Sequence, residues 1–442
     1  MIVLSGAALV LPDRILSPGT LVIEEGRIAE IRTDAASGGH ADSHFAFHGH
    51  YIVPGFIDVH VHGVDGVDSL DMRPEGDAIG AIAERLPRYG VTAFCPTTVA
   101  CGPEALGRVL DQVRCAREAP AARAARVLPA HLESNFINPE YAGAQPSACL
   151  RSPRAALGSG GPGESGGPGG SRGSARSGDT DSRRATLSGS PSSPDFTAAD
   201  ILTEIERAAP DVGIVTLASE LDGGLELLHR LASRGHLVSL GHSAATYEQA
   251  LAAIASGARQ ATHLFNRMPP LGHRTPGLAG AVLQTDEVAA EIICDGAHVH
   301  PALIRTAIAA KRPSRILAIT DATAAAGLPV GSRASLGGQP IIAGDATALL
   351  ADGTIAGSVL TMDRAFQTLV GRVGLSLVDA ATICATTPAR ELGLVGYGML
   401  APEAVADLVV LDANFSVVQT YVGGQLVYAR AVDPQVLSQG PS

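Results

Sequence analysis

A strand that ends in His60-Val61-His62 carries two imidazoles on one face, because side chains two residues apart on a strand point the same way. The segment they close, PGFIDVHVHG, is one of several short apolar runs that finish on a side chain able to bind a metal ion. Glu133 closes PAHLESNF, His242 closes SLGHSA, His263 closes ATHLFN and Asp321 closes AITDAT. One histidine in such a place is more often a packed core residue than a ligand. Six ligand-type residues at the ends of five runs point instead to a metal centre.

Imidazole and carboxylate donors without thiolate suit a divalent ion such as Zn²⁺, Fe²⁺, Mn²⁺ or Co²⁺. Two arrangements fit. Either Glu133 bridges two ions, one on His60 and His62 and the other on His242 and His263, or one ion fills the Glu133, His242 and His263 site alone. Such an ion lowers the pKa of water from roughly 15.7 toward about 7. Asp321, a carboxylate in the same set, is placed to take the proton of such a water.

The elements that must position these residues form a repeating pattern. Eight short apolar runs, at 55–62, 91–98, 126–133, 212–219, 236–242, 260–264, 288–295 and 315–321, alternate with helical stretches. Helices are predicted over 224–233, 246–256, 301–310 and 378–385, the last stopping short of Pro388. Eight strand–helix units predict a closed (β/α)₈ barrel over 51–399, and barrels of this kind assemble their sites where the strands end. Residues 1–50 and 400–430 read as short β segments (21–24, 27–31, 407–411 and 417–422), expected to fold together as a small β-sandwich. The first two meet at a turn, Glu24-Glu25-Gly26-Arg27. Residues 151–195 are Gly, Ser, Pro and Arg almost throughout, too little apolar surface to offset the entropy of ordering them. They are expected to be a disordered insertion between the third and fourth units.

Composition removes several function classes. The net charge, 32 cations against 44 anions, is −12, so no nucleic-acid partner is expected. The opening apolar residues lack a basic leader region and a cleavage site, and no apolar run approaches the roughly 18 residues of a membrane helix. Six cysteines without a CxxC pair suggest reduced thiols and a cytoplasmic home. His131 faces the same side as Glu133 and is expected to pack beneath the site.

PGFIDVHVHG resembles the first-strand motif of the amidohydrolase superfamily. HLESNFINPEYAGAQP, LGHSAATYEQA, THLFNRMPPLGHRTPGLAGAVL, ICDGAHVHP, ITDATAAAG and IAGSVLTM resemble its N-acetylglucosamine-6-phosphate deacetylase branch. The resemblance runs from about residue 1 to 430, skipping the insertion. It implies an amino-sugar phosphate substrate, Glu133, His242 and His263 as metal ligands, and Asp321 as acid/base. It also implies that Asn266, Arg267, His298, Ala356 and Gly357 touch substrate, and that Arg274 grips the sugar phosphate across a homodimer interface. Two departures stand out: Ser134-Asn135 replaces a common Gly-Pro, and Gln145 replaces a common histidine, where it remains a candidate to bond a sugar hydroxyl. Rival readings are another amidohydrolase, such as an N-acyl-amino-acid deacylase or cyclic amidase, and a barrel that serves as a non-catalytic scaffold. The fourth run, VTLASE, has no lysine of the kind a cyclic amidase would carbamylate.

Overall fold

Runs that are apolar on both faces need cover on both faces, and a parallel sheet closed on itself inside a ring of helices supplies it. In the computed structural model, which describes residues 1–33, 43–71, 76–158 and 195–431, each of the eight predicted runs contains a strand. These are Phe56–Val61, Val91–Thr98, Ala130–Glu133, Val212–Leu217, Leu237–Leu240, Gln260–Ala261, Ala289–Ile293 and Ile316–Ile319, paired in parallel in chain order. The ring closes at the site. Asp321 N–H donates to the His60 carbonyl at 2.9 Å and His62 N–H to the Ala322 carbonyl at 2.8 Å. Two residues deeper along the first strand, the buried Asp58 carboxylate accepts the Thr320 hydroxyl at 2.6 Å.

The helices form where the pattern places them. Ala198–Arg207 buries Ala198, Ile201, Leu202 and Ile205, one face at helical spacing, and opens on a Thr197/Asp200 capping box. Gly224–Ser233 and Pro301–Lys311 match the predicted spans closely. The stretch near Pro388 does not stop as expected. Leu377–Ala381 passes through a π-helical turn, Thr382–Thr386, into Thr387–Glu391. Pro388 thereby falls in the first turn of the last piece, where its missing N–H leaves nothing unpaired.

Two other features differ from expectation. The low-complexity segment begins later than residue 151: Pro153–Leu157 is helical, buries Pro153 and Ala156, and Arg154 pairs with Asp222 and Glu226. Residues 159–194, the bulk of the expected insertion, lie outside the described residues. A four-stranded antiparallel sheet, Arg333–Leu336, Gln339–Ala343, Thr347–Leu349 and Ile355–Ser358, follows the eighth strand. Its first turn, Gly337-Gly338, has both φ angles positive (57° and 81°), as a tight two-residue hairpin requires.

The two ends of the chain do fold together, in one continuous sheet. Its order is Gln425–Ala429, Val417–Val422, Leu408–Leu411, Tyr51–Pro54, Ile2–Val10, Ile15–Glu24 and Arg27–Arg32, with Ser43–Ala46 also beside Ile2–Val10. The hairpin turns at Glu25-Gly26, as expected. Leu4, Leu21, Ile28, Ile52, Leu408 and Tyr421 belong to a core of its own, apart from the barrel's. Among the described residues no helix is long and apolar enough to cross a membrane, and all six cysteines are free.

Candidate metal centre

The six ligand-type residues meet at one end of the barrel. Glu133 stands between two histidine pairs: its Oε1 lies 3.0 Å from both His242 Nε2 and His263 Nε2, and its Oε2 lies 3.5 Å from His62 Nε2. His60 Nε2 is 3.3 Å from His62 Nε2, and His242 Nε2 is 3.1 Å from His263 Nε2. Asp321 Oδ1 caps the first pair, 3.4 Å from His60 Nε2 and 3.2 Å from His62 Nε2.

This donor set fits a divalent ion. His242 Nδ1 meets the Tyr141 carbonyl at 2.8 Å, and a carbonyl only accepts, so Nδ1 carries the hydrogen and Nε2 keeps its lone pair. His60 Nδ1 meets the Glu291 carboxylate at 3.0 Å with the same consequence. Lone pairs aimed at each other across about 3 Å repel unless a cation or a proton lies between them. Glu133–His242–His263 and His60–His62–Glu133 each focus three ligand atoms within 4.8 Å of one another. Either of the two arrangements inferred from the sequence fits.

The electrostatics agree. Burial alone would push His60 down, but Glu291, bonded to it, and the Asp321 and Glu133 carboxylates push it up to about 10. The three carboxylates around His60 favour positive charge at this position. Burial would raise Glu133, yet the charge and hydrogen bonds of His242 and His263 hold it well below the carboxylate range. Asp321 is likewise lowered against its burial, by the bond from His62 and the charge of His60. His131 behaves differently: burial dominates and lowers it to about 4. Both its nitrogens are committed, to the Val59 carbonyl at 2.9 Å and the Thr216 hydroxyl at 2.8 Å, so it packs beneath the site as expected.

Backbone strain concentrates here. His242, His263, Phe265, Arg267 and Asp321 all have positive φ (47°, 30°, 78°, 52° and 48°). For a side-chain-bearing residue this conformation costs roughly 1–2 kcal/mol and persists where surrounding contacts over-determine it. The contacts are visible: Asn138 N–H donates to the His242 carbonyl at 2.9 Å, and Ser358 N–H to the Asp321 carbonyl at 2.8 Å.

A cavity of about 490 Å³ opens above the cluster, within the range of small-molecule sites. Of the residues expected to touch substrate, Gln145, Asn266, Arg267, His298 and Gly357 line it. Ala356 does not; it is fully buried. Arg274 is exposed on its loop and lies outside the lining. Gln145 is more constrained than expected for a hydroxyl-binding side chain: its Nε2 donates to Glu133 Oε2 and its Oε1 accepts from Ala100 N–H. His298 Nδ1 sits 2.6 Å from Asp295 Oδ2, which fixes the ring, whereas His300 only caps the following helix.

Three carboxylates that organise the site escaped the sequence reading. Glu291 lies in the middle of the apolar strand Ala289–Ile293, Asp295 orients His298, and Glu220 ties Asn138 to Ser243 beside His242. The signal existed for Glu291. A charge inside a continuous apolar run is rarely buried without a partner.

Comparison with known proteins agrees with this geometry. Residues 51–427 match the amidohydrolase family model. An N-acetylglucosamine-6-phosphate deacetylase from Homo sapiens is 35% identical over 424 residues, covering 94% of this chain and 90% of that protein. An N-acetylgalactosamine-6-phosphate deacetylase from Escherichia coli O157:H7 is 32% identical over 378 residues, covering 85% and 87%. A variant of the Mycobacterium smegmatis N-acetyl-D-glucosamine-6-phosphate deacetylase, solved in complex with N-acetyl-D-glucosamine-6-phosphate, superposes with a TM-score of 0.79 at 29% identity, covering 96% of this chain and 99% of that one. The chain is a member of the amidohydrolase family, in its N-acetylglucosamine-6-phosphate deacetylase branch.

Proposed function

We propose that the chain hydrolyses the acetamide of N-acetyl-D-glucosamine 6-phosphate, giving glucosamine 6-phosphate and acetate. The observation that carries this reading is the convergence of Glu133, His242, His263 and Asp321 on the floor of one cavity, in a chain of this family. The divalent ion held by Glu133, His242 and His263, when bound, supplies Lewis acidity to water and to the acetamide carbonyl.

The chain's own residues supply the rest. Asp321, held in its carboxylate form by His62 and His60, takes the water's proton and delivers it to the departing nitrogen. His298, with Nδ1 fixed on Asp295, presents its other nitrogen for a hydrogen bond to substrate. Asn266 and Gly357 shape the cavity around the sugar, and Gln145 keeps Glu133 turned toward the ligands. Among the described residues, Arg267 is the one lysine or arginine in the lining, and its guanidinium packs on Gly143 and reaches the Ile355 carbonyl. As the family resemblance implies, the sugar phosphate takes a guanidinium from Arg274 of a second copy, in a homodimer, with the bidentate geometry that favours arginine over lysine. Free thiols suit a reducing compartment, and they support the cytoplasm as the enzyme's location.

The test is acetate release from N-acetylglucosamine 6-phosphate, N-acetylgalactosamine 6-phosphate, unphosphorylated N-acetylglucosamine and N-acetyl amino acids. Fastest release from the first supports the reading. A preference for the galactosamine epimer would move the specificity, and a preference for an N-acetyl amino acid would refute it.

A further inference from the structure

Beneath the metal centre a single buried carboxylate reaches both histidine pairs. Glu291 is wholly buried, and its Oε2 lies 3.0 Å from His60 Nδ1 and 3.3 Å from the backbone N–H of His263. Its Oε1 accepts from the Gln260 amide at 2.5 Å, so the carboxylate cannot rotate away.

Glu291, His60 and His131 also sit close enough together to suggest an ion site of their own. The hydrogen bonds argue otherwise. Both His131 nitrogens are occupied by Val59 and Thr216, and the His60 nitrogen facing Glu291 is the one that must carry hydrogen if Nε2 is to serve the pair with His62. Glu291 is thus arranged to act through His60, not to bind a cation itself.

We infer that Glu291 is a positioning residue that makes the His60–His62 side of the centre competent to hold a second ion. A carboxylate on Nδ1 fixes the imidazole's tautomer and plane and raises the basicity of Nε2. The two sides differ in what fixes them. His242 is fixed by the Tyr141 carbonyl, a neutral acceptor, and His263 touches Glu291 only through its backbone, which Leu264 N–H to the Glu291 carbonyl (2.8 Å) also holds. Loss of the side-chain charge therefore falls on His60. This rests on the site being a metal centre and not on which amide is cleaved.

The experiment is equilibrium dialysis of the metal-stripped full chain against Zn²⁺ alone, in the native protein, Glu291→Gln, His62→Asn and the double variant, with far-UV circular dichroism as a check on folding. Two ions per native chain and one in each variant are expected, the double variant losing nothing more. One ion in the native chain overturns the inference. So does Glu291→Gln binding two ions with native affinities, or losing both while folded. If Glu291→Gln does not fold, Gln260→Met removes the donor that pins Oε1 and leaves the carboxylate. One ion should then bind about 10–100-fold more weakly. Two unchanged affinities in Gln260→Met would overturn the inference equally. Stoichiometry is read without substrate, so a wrong choice of sugar leaves this result standing.

Discussion

The floor of the cavity and its rim are built on different terms. On the floor, His60, His62, Glu133, His242 and His263 stand in or just past barrel strands, their side chains no more than 5% exposed, and most are tied by named hydrogen bonds. On the rim, Ile355 is 43% exposed, Leu336 and Gly357 arrive on an added antiparallel sheet, and Arg274 stands farther out, exposed on a Gly/Pro-rich loop outside the lining. Rigid strands fix chemistry, and loops laid over them select what reaches it. Changes to the floor should therefore lower turnover, and changes to the rim should alter substrate preference.

The largest effect is expected from Asp321→Asn. It removes the proposed proton carrier and should cut kcat by about 10²–10⁴-fold while metal content is unchanged. Near-native kcat would take Asp321 out of the chemistry. His263→Ala should follow, at roughly 10²–10³-fold, with its ion lost by elemental analysis, because several kcal/mol of electrophilic assistance go with the ion. His62→Ala should cost less than His263→Ala; the reverse order would relocate the essential ion to the other pair.

Beyond the rim, on the proposal that Arg274 of a second copy holds the phosphate, Arg274→Ala should raise KM for phosphorylated substrate about 10–100-fold, the worth of a charge-assisted bond or two, with kcat little changed. An equal loss with unphosphorylated N-acetylglucosamine would show that Arg274 does not hold phosphate. Gly357→Ala probes where rim meets floor. Its φ is +71° and an added Cβ would lie 2.8 Å from the Asp321 carbonyl oxygen, so strain of about 1–3 kcal/mol should appear as lower Tm and a modest fall in kcat. Unchanged kcat and Tm would mean that the rim sheet yields without moving Asp321.

The same contrast explains what the sequence discloses. The floor is legible because strand alternation and strand ends put His60, His62, Glu133 and Asp321 at predictable places. The rim is less so. The sheet between Arg333 and Ser358 sits inside a span read as barrel, although Gly337-Gly338 marks its first hairpin. The engagement of Gln145 with Glu133 depends on a loop whose path no local pattern gives. The left-handed backbone at His242, His263 and Asp321 is only faintly signalled by residue type: histidine and aspartate are enriched there among side-chain-bearing residues, but glycine is the usual occupant. The helix through Pro388 was missed because proline reads as a stop, and only the π-helical turn before it lets the helix resume.

The most direct measurement is anomalous diffraction at the zinc edge from crystals of the Zn²⁺-loaded chain. A peak enclosed by Glu133, His242 and His263, beneath Asp321, is the expected result. Zinc bound elsewhere, with those three side chains turned from one another, would mean that the barrel mouth is not a metal centre.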